Sequence, residues 1–433
     1  MFFKKQATGL FLAAVLALPA VSAALPAGGV PPSTYVAGSG DPVLTTVDRR
    51  VLAPDVAEYS FRVRVGDGPY DFIGVHRVVK EIAPNVPVQA AQAVFLAHGD
   101  IWNFRAAFLT GAKTLPVYLA QNGVDVWGID FRWTSVPANV TNLSFMESWG
   151  IEQDARDLGI AIGVARFTRS VTGSGYGQVN LLGWSRGGQI GYAYLNGESQ
   201  IPARLRQVKG FIPADIYLKT DVAQLKGFAC QRQLFAETKI ESSVFANDTG
   251  VLAARVGGRA LTDPNGASTD VPGLNNREAG LLVGEATHAL QGGLAPAPFY
   301  HMTGGNFDPV TTAPTGLFYA NEQDLFTLER SASSFQPFRE QADADAATCE
   351  QTDVPFDDHL HNITVPILYL GAGGGFGDFG VYTTTLLGST DVTTHVVSLT
   401  PIRAVDFGHA DLFLGTNADT LVWQPLLTWL QAH

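Results

Sequence analysis

Basic residues and long apolar runs are both scarce in this sequence. The chain has 28 lysines and arginines against 40 aspartates and glutamates, which gives a formal net charge of -12. Because an acidic protein repels phosphate groups and acidic lipid surfaces, nucleic acid is not expected as a partner. After the N-terminal segment no apolar run reaches the roughly 20 residues that a membrane-spanning helix needs. The sequence therefore predicts no integral membrane span.

Cysteine is almost absent, since the chain has only Cys230 and Cys349. In an exported protein an even pair predicts one disulfide, and two unrelated buried thiols are the alternative. The N-terminal 23 residues have the pattern of a signal peptide, with a basic start at Lys4 and Lys5, an apolar run over residues 10–18 and small residues before the predicted cleavage. The run is too short for a membrane anchor, which is the alternative. These features predict a secreted or periplasmic protein.

Short apolar runs alternate with helical stretches between about residues 41 and 221. Unbroken apolar runs are typical of strands buried on both faces of a parallel sheet, and the alternation predicts an α/β fold with helices on both faces. The segments "EYSFRVRVG" and "YDFIGVHRVVK" alternate apolar and polar residues. They predict antiparallel strands that precede the parallel part of the sheet. The four apolar runs are Ala91–His98, Asp125–Asp130, Gln178–Trp184 and Val208–Asp215.

The alternation stops in a turn-rich segment and resumes at residues 365–372. We interpret residues 222–360 as a cap inserted into one core, which residues 24–221 and 361–433 form. A separate domain would need Pro/Ser-rich joints on both sides, and none is evident. The insertion's aromatics could line an apolar substrate cleft or form its own core. They are Phe228, Phe235, Phe245, Phe299, Tyr300, Phe307, Phe318, Tyr319 and Phe326.

A serine between glycines, Gly183-Trp184-Ser185-Arg186-Gly187, fits the pattern G-x-S-x-G. The pattern follows the apolar strand "VNLL" and precedes the helix-like "QIGYAYL", which is the strand-to-helix setting that this motif requires. We therefore expect Ser185 to be a nucleophile. The backbone N–H of Arg186 is one expected oxyanion donor, and that of Asp100, in the turn His98-Gly99-Asp100, is the other.

A serine nucleophile needs a base and an acid that orients the base. His409, in a glycine-flanked loop ahead of the final helix, is the expected base because the chain order should be serine, acid, histidine. Asp378, in "GAGGGFGDFG" after a predicted strand, is the first candidate for the acid. Asp215 and Asp221 remain open as alternatives, whereas Asp130 precedes the serine and is expected to be structural.

Taken together, "FLAHGD", "GIDFRW", "SWGIEQDARDLGIAI", "LLGWSRGG" and "GHADLFLG" resemble the α/β-hydrolase superfamily, and most of all its lipases and esterases of the acid-lipase type. The resemblance covers residues 41–221 and 363–433 but not the insertion. It implies a mostly parallel central sheet beneath a cap, with Ser185 as nucleophile, His409 as base and an oxyanion hole at Asp100 and Arg186. The acid departs from the usual G-x-x-D arrangement, because Asp378 lies further from the glycine that closes its strand.

The resemblance implies hydrolysis of a small-molecule or lipid-like ester. Cleavage of a lactone, an amide or a carbon-carbon bond between ketones stays open, as does an inactive binding protein, because fold and triad do not fix the substrate. No cofactor, metal or protein partner is expected. A small cluster of Asp357, Asp358, His359 and His361 lacks the ligand spacing of a known metal site.

Overall fold

The computed structural model describes residues 43–433, with side chains from residue 47 onward, so the predicted signal peptide at residues 1–23 lies outside the described residues. The strands are β1 (Val43–Ala53), β2 (Val56–Arg64), β3 (Phe72–Ala83), β4 (Val86–Pro87), β5 (Gln92–Ala97), β6 (Val124–Asp130), β7 (Val179–Trp184), β8 (Val208–Ala214), β9 (Ala246–Asn247), β10 (Gly305–Phe307), β11 (Pro314–Leu317), β12 (Gln336–Pro337), β13 (Ile367–Ala372) and β14 (Val392–Val397). The helices are α1 (Phe104–Phe108), α2 (Leu115–Gln121), α3 (Ile151–Val171), α4 (Arg186–Glu198), α5 (Ala223–Glu241), α6 (Thr249–Thr262), α7 (Asn276–Glu285), α8 (Thr287–Leu290), α9 (Glu322–Arg330), α10 (Phe338–Cys349), α11 (Val381–Thr385), α12 (Asp411–Leu414) and α13 (Gln424–Ala432).

One central sheet organises the fold. Its strands lie in the order β1-β2-β3-β6-β5-β7-β8-β13-β14, and β4 pairs with β3 beside them. The first three strands pair antiparallel with one another, and β3 also pairs antiparallel with β6. The strands from β6 to β14 in this order pair parallel. The prediction of a mostly parallel sheet preceded by antiparallel strands is confirmed.

The central parallel strands are buried on both faces of the sheet. Every residue of β7 is buried. Successive side chains of a strand point to opposite faces, and here Leu181 packs with Phe211 on one face while Leu182 packs with Ile212 on the other. This burial explains why β7 is an unbroken apolar run. Because β5, β7 and β8 run parallel, their carboxyl ends meet at one edge of the sheet.

The segment between β8 and β13 forms helices α5 to α10 and the short strands β9 to β12. It shares its packing with the core, since Phe335 joins the cluster on one face of the sheet and Leu328 joins the cluster on the other. A small separate cluster around Leu281 and Phe326 lies within the segment itself. We call residues 222–360 the insertion, and these boundaries remain predictions.

Two helices of the insertion are joined covalently. Cys230 in α5 and Cys349 at the end of α10 form a disulfide, with their Cα atoms 4.8 Å apart and a sequence separation of 119. The predicted pairing is therefore confirmed. In the chain-entropy model, closing a loop of this size stabilises the fold by about 4–5 kcal/mol.

Candidate active site

Ser185 lies in the turn between β7 and α4. Its backbone has φ 57° and ψ -129°, a combination that costs a non-glycine residue about 1–3 kcal/mol. The N–H of Ser185 donates to the carbonyl oxygen of Ala214 at 3.0 Å, and its own carbonyl accepts from the N–H of Gly188 at 2.8 Å. Bonds to the neighbouring strand and to the helix thus hold the serine in the strained turn that the G-x-S-x-G motif predicts.

The glycines of the motif are required by close backbone contacts. A Cβ atom on Gly183 would lie 2.3 Å from the carbonyl oxygen of Gly187. A Cβ atom on Gly187 would lie 2.3 Å from the carbonyl oxygen of Ala97, at the end of β5. Both neighbours are backbone atoms of packed elements and cannot move aside. Any side chain at these positions would therefore push α4 away from the sheet and displace Ser185.

His409 lies between β14 and α12, and a carboxylate holds its ring. Its Nδ1 is 2.6 Å from Oδ2 of Asp215, and both side chains are buried. The indole of Trp184, the residue before Ser185, stacks on the imidazole with the ring centroids 4.9 Å apart. Nε2 of His409 has no hydrogen-bond partner among the described residues, and Ser185 does not bond to it either. Hydrogen bonds between catalytic side chains are often long when no substrate is bound. Nε2 is therefore the ring atom left free to accept a proton.

The partner of His409 is Asp215, not Asp378, so the structure does not match the first candidate for the acid. Asp378 is exposed in the 3-10 turn Gly377–Gly380, and Asp221 is exposed as well. Asp215 follows β8 with a positive φ of 49°. The two strands β8 and β13 are neighbours, so the loop after either strand can reach the histidine.

The sequence predicts that the glycine-rich loop after β13 carries the acid. In the structure this loop instead surrounds Asp215. Oδ1 of Asp215 accepts from the N–H groups of Ala372 and Gly377, both at 2.8 Å, and Oδ2 accepts from the N–H of Phe376 at 2.9 Å. A Cβ atom on Gly375 would lie 1.9 Å from Oδ2. The loop therefore needs glycine so that its backbone can approach the carboxylate.

The turn His98-Gly99-Asp100 lies directly beside the serine. A Cβ atom on Gly99 would be 2.6 Å from Cβ of Ser185 and 3.1 Å from its Oγ. Arg186 is the first residue of α4, so its N–H has no partner within the helix. The side chains of the two expected oxyanion residues form an ion pair, with Nε of Arg186 2.9 Å from Oδ1 of Asp100 and Nη2 3.1 Å from Oδ2.

Asp130, at the end of β6, supports the segment that follows this turn. Its Oδ1 accepts from the N–H of Phe104 at 2.7 Å, and its Oδ2 is 2.9 Å from Nε2 of His76. Nδ1 of His76 is 2.8 Å from Oε1 of Glu58. Burial disfavours the charged imidazole, but the carboxylates of Asp130 and Glu58 outweigh it and raise the pKa of His76 to about 9. This buried network ties α1 to the antiparallel strands.

Aromatic rings surround His409. The centroid of Tyr300 is 5.2 Å from that of the imidazole, and the centroid of Phe376 is 5.5 Å from it. Tyr300 belongs to the insertion, and it is the member of the predicted aromatic set that contacts the histidine ring. Phe326 instead packs within the insertion, and Phe235, Phe299 and Phe318 are about half exposed. Sequence periodicity gave no signal for Phe376, which lies in the glycine-rich loop.

Within residues 43–433, no group of three or more His, Cys, Asp or Glu side chains is arranged to hold a metal ion. In the small cluster noted in the sequence, Oδ2 of Asp357 is paired with Nζ of Lys219 at 2.6 Å. Over the same residues, no helix combines the length and the apolar character needed to cross a membrane.

The sheet order, the strained serine turn after β7 and the histidine after the last strand define an α/β-hydrolase fold. A "putative lipase" from Sulfolobus solfataricus has a similar structure, with a TM-score of 0.58 and 20% sequence identity over 89% of this chain and 99% of that chain. A thermophilic esterase from Thermogutta terrifontis is matched with a TM-score of 0.40 and 15% identity over 86% of this chain and 98% of that chain. No protein-family model matches the chain, and no curated protein sequence is a significant match.

Proposed function

We propose that this protein is a serine hydrolase that cleaves carboxylic esters of apolar substrates through an acyl-enzyme. The observation that carries the proposal is the strained turn of Ser185, which lies beside the Gly99 turn and directly follows Trp184, the residue whose indole stacks on the imidazole of the His409–Asp215 pair. Strained backbone is costly and persists where surrounding contacts enforce it, and it is common at catalytic sites. Nucleophile, base and orienting carboxylate are the three groups that acyl transfer through serine needs.

In the proposed reaction, Nε2 of His409 takes the proton of Ser185 Oγ as that oxygen attacks the ester carbonyl. The carbonyl oxygen becomes an anion and accepts hydrogen bonds from the backbone N–H groups of Asp100 and Arg186. The carbon-oxygen bond to the alcohol then breaks, and His409 returns the proton to the leaving alkoxide. Water, deprotonated by His409, then attacks the carbonyl carbon of the acyl-enzyme. The bond to Ser185 Oγ breaks, His409 returns the proton to the serine, and the acid is released. Asp215 accepts the Nδ1–H bond throughout and stabilises the imidazolium.

Three features support an apolar substrate and an exported protein. The buried rings of Trp184, Tyr300 and Phe376 lie against His409, so groups near the scissile bond meet apolar surface. The "putative lipase" from Sulfolobus solfataricus has a similar fold, although fold alone does not fix the substrate. The Cys230–Cys349 disulfide is typical of an oxidising compartment and supports the predicted signal peptide.

The decisive test is Ser185→Ala, measured with short-chain and medium-chain p-nitrophenyl esters and with a fluorophosphonate probe. We expect hydrolysis and covalent labelling in the unchanged protein and neither in the variant, because only an activated serine reacts with the probe. Ser242→Ala, at the exposed end of α5, is the matched control and should retain both. Full activity of Ser185→Ala would refute the assignment of Ser185 as the nucleophile.

A panel of esters, lactones, amides and diketones then decides the bond that is cleaved. We expect the highest kcat/KM on apolar esters. Labelling without turnover of any ester would favour one of the other bond types, and the absence of both labelling and turnover would favour a binding protein.

A further inference from the structure

The turn at the proposed oxyanion hole includes a second strained residue. Ile101 follows Asp100 and has a φ of 57°, a conformation that is unfavourable for a β-branched residue. Its N–H donates to Oε1 of Gln336 at 2.8 Å, and its carbonyl accepts from the N–H of Ser333 at 2.7 Å. Both of these partners belong to the insertion. The backbone beside the proposed oxyanion donor is therefore held from outside the α/β core.

The side chain of Gln336 has a defined orientation. It is only 3% exposed and lies in β12, where it is paired with Asn247 of β9. Its Nε2 donates to Oε2 of Glu340 at 2.5 Å, so the amide is bonded at both ends. Because a backbone N–H needs an acceptor, the oxygen of the amide must face Ile101. Burial raises the pKa of Glu340 well above its usual range, which favours a neutral carboxyl group beside the amide.

The same network reaches the residue after the nucleophile. Oε1 of Glu340 is 3.8 Å from Nε of Arg186, and the guanidinium of Arg186 holds the carboxylate of Asp100 through two nitrogens. Nη1 of Arg186 also donates to Oε1 of Gln189 at 2.5 Å. The insertion thus contacts both segments that present the proposed donors, the Asp100 turn through Ile101 and the start of α4 through Arg186.

We propose that Gln336 is a positioning residue for the oxyanion hole: its amide fixes Ile101 and thereby directs the Asp100 N–H toward the oxyanion. The inference rests on the proposed function. A donor that is correctly placed before reaction stabilises the transition state more than the bound substrate, so the effect belongs in kcat rather than in KM. The insertion then contributes to the chemical step as well as covering the core.

Two substitutions separate this role from simple packing. Gln336→Met keeps the side-chain volume but removes both amide hydrogen bonds, whereas Gln336→Glu keeps an acceptor for the Ile101 N–H. Loss of a direct oxyanion donor lowers kcat about 10²–10³-fold, so displacement of one by Gln336→Met should cost about 10–100-fold with KM changed by less than about threefold. Gln336→Glu should restore kcat to within about threefold of the unchanged protein.

Gln233→Met is the matched control. Gln233 is also a buried glutamine of the insertion, and its amide donates to Glu237 and Thr352, not to the oxyanion turn. All kcat values are expressed per serine titrated to completion with fluorophosphonate, so unfolded molecules do not count. We expect Gln233→Met to leave kcat unchanged.

Equal kcat losses in Gln336→Met and Gln233→Met, or an effect on KM alone, would overturn the positioning role. Failure of Gln336→Glu to restore kcat would do the same. If the unchanged protein is neither labelled nor active, the proposed function fails instead, so the two failures are distinguishable.

Discussion

Replacing Asp215 with asparagine perturbs the central hydrogen bond of the candidate site. Oδ2 of Asp215 faces Nδ1 of His409 at 2.6 Å and the N–H of Phe376 at 2.9 Å. Oδ1 faces the N–H groups of Ala372 and Gly377, both at 2.8 Å. All three backbone partners are donors, so the NH₂ group of an asparagine meets at least one donor in either orientation. The substitution keeps the shape of the side chain but cannot satisfy the surrounding donors.

The expected loss of activity is large. An asparagine NH₂ facing His409 favours the tautomer with the proton on Nε2, and that nitrogen then cannot accept the serine proton. The equivalent change in a well-studied serine protease triad lowers kcat about 10⁴-fold, and we expect a similar loss, which corresponds to about 5.5 kcal/mol in the activation free energy. One buried backbone donor also loses its acceptor, which should lower the free energy of unfolding by about 1–3 kcal/mol.

The assay is kcat for a p-nitrophenyl ester, measured alongside thermal unfolding to show that the variant is folded. Asp378→Asn is the matched control, since Asp378 is exposed and close in sequence to the loop around Asp215. It should stay within about twofold of the unchanged protein, because surface substitutions seldom perturb a fold. If Asp378→Asn lost most of its activity and Asp215→Asn kept more than a tenth, the assignment of the acid would be refuted.

Two further predictions concern the surroundings of the site. Because Asp130 and Glu58 raise the pKa of His76 to about 9, its charged form stabilises the fold fully below about pH 6.5, and this contribution is lost as the pH rises through 9. In chemical unfolding at pH 6, His76→Gln should therefore lower the free energy of unfolding by up to about 3 kcal/mol, and at pH 10 the difference from the unchanged protein should be smaller. A difference that is the same at both pH values would contradict the raised pKa of His76. Gly375→Ala should lower kcat at least tenfold, because its Cβ atom would lie 1.9 Å from Oδ2 of Asp215, and unchanged kinetics would show that the loop can move aside.

The parallel sheet could be predicted because its strands are buried on both faces. In β7 the neighbours Leu181 and Leu182 belong to opposite clusters, and such a strand has to be apolar throughout. The serine turn could be predicted for a similar local reason. The contacts that require Gly183 and Gly187 join elements that are adjacent in sequence or in the sheet. In both cases the physical constraint leaves a short, continuous pattern in the chain.

Asp215 was an open alternative for the acid, but the sequence could not select it over Asp378 because two neighbouring strands are each followed by an aspartate. Asp215 and Asp378 both follow strands whose carboxyl ends meet at the same edge. Which one faces the imidazole depends on the path of the loop after β13, which turns its N–H groups toward Asp215 and leaves Asp378 exposed. That path is set by tertiary contacts, and the same glycines fit either a loop that carries the acid or one that surrounds it.

The contacts that the insertion makes around the candidate site could not be predicted from the sequence either. Gln336 bonds to Ile101 across a separation of 235 residues, and Tyr300 packs on His409 from the same insertion. A single glutamine or tyrosine in a turn-rich segment has no periodic pattern that would reveal its partner. The positive φ of Ile101 likewise has no signal in the local sequence, because a β-branched residue disfavours that conformation.

The His409–Asp215 hydrogen bond also has a consequence for the order in which the chain folds. The two residues are 194 positions apart, and the whole insertion lies between them. Closing so long a loop costs conformational entropy, and long-range contacts of this kind slow folding. The turn around Ser185 is local by comparison, since β7 and α4 are consecutive elements. We therefore expect the serine turn to form early and the imidazole to gain its carboxylate only when β13, its glycine-rich loop and the C-terminal segment have docked.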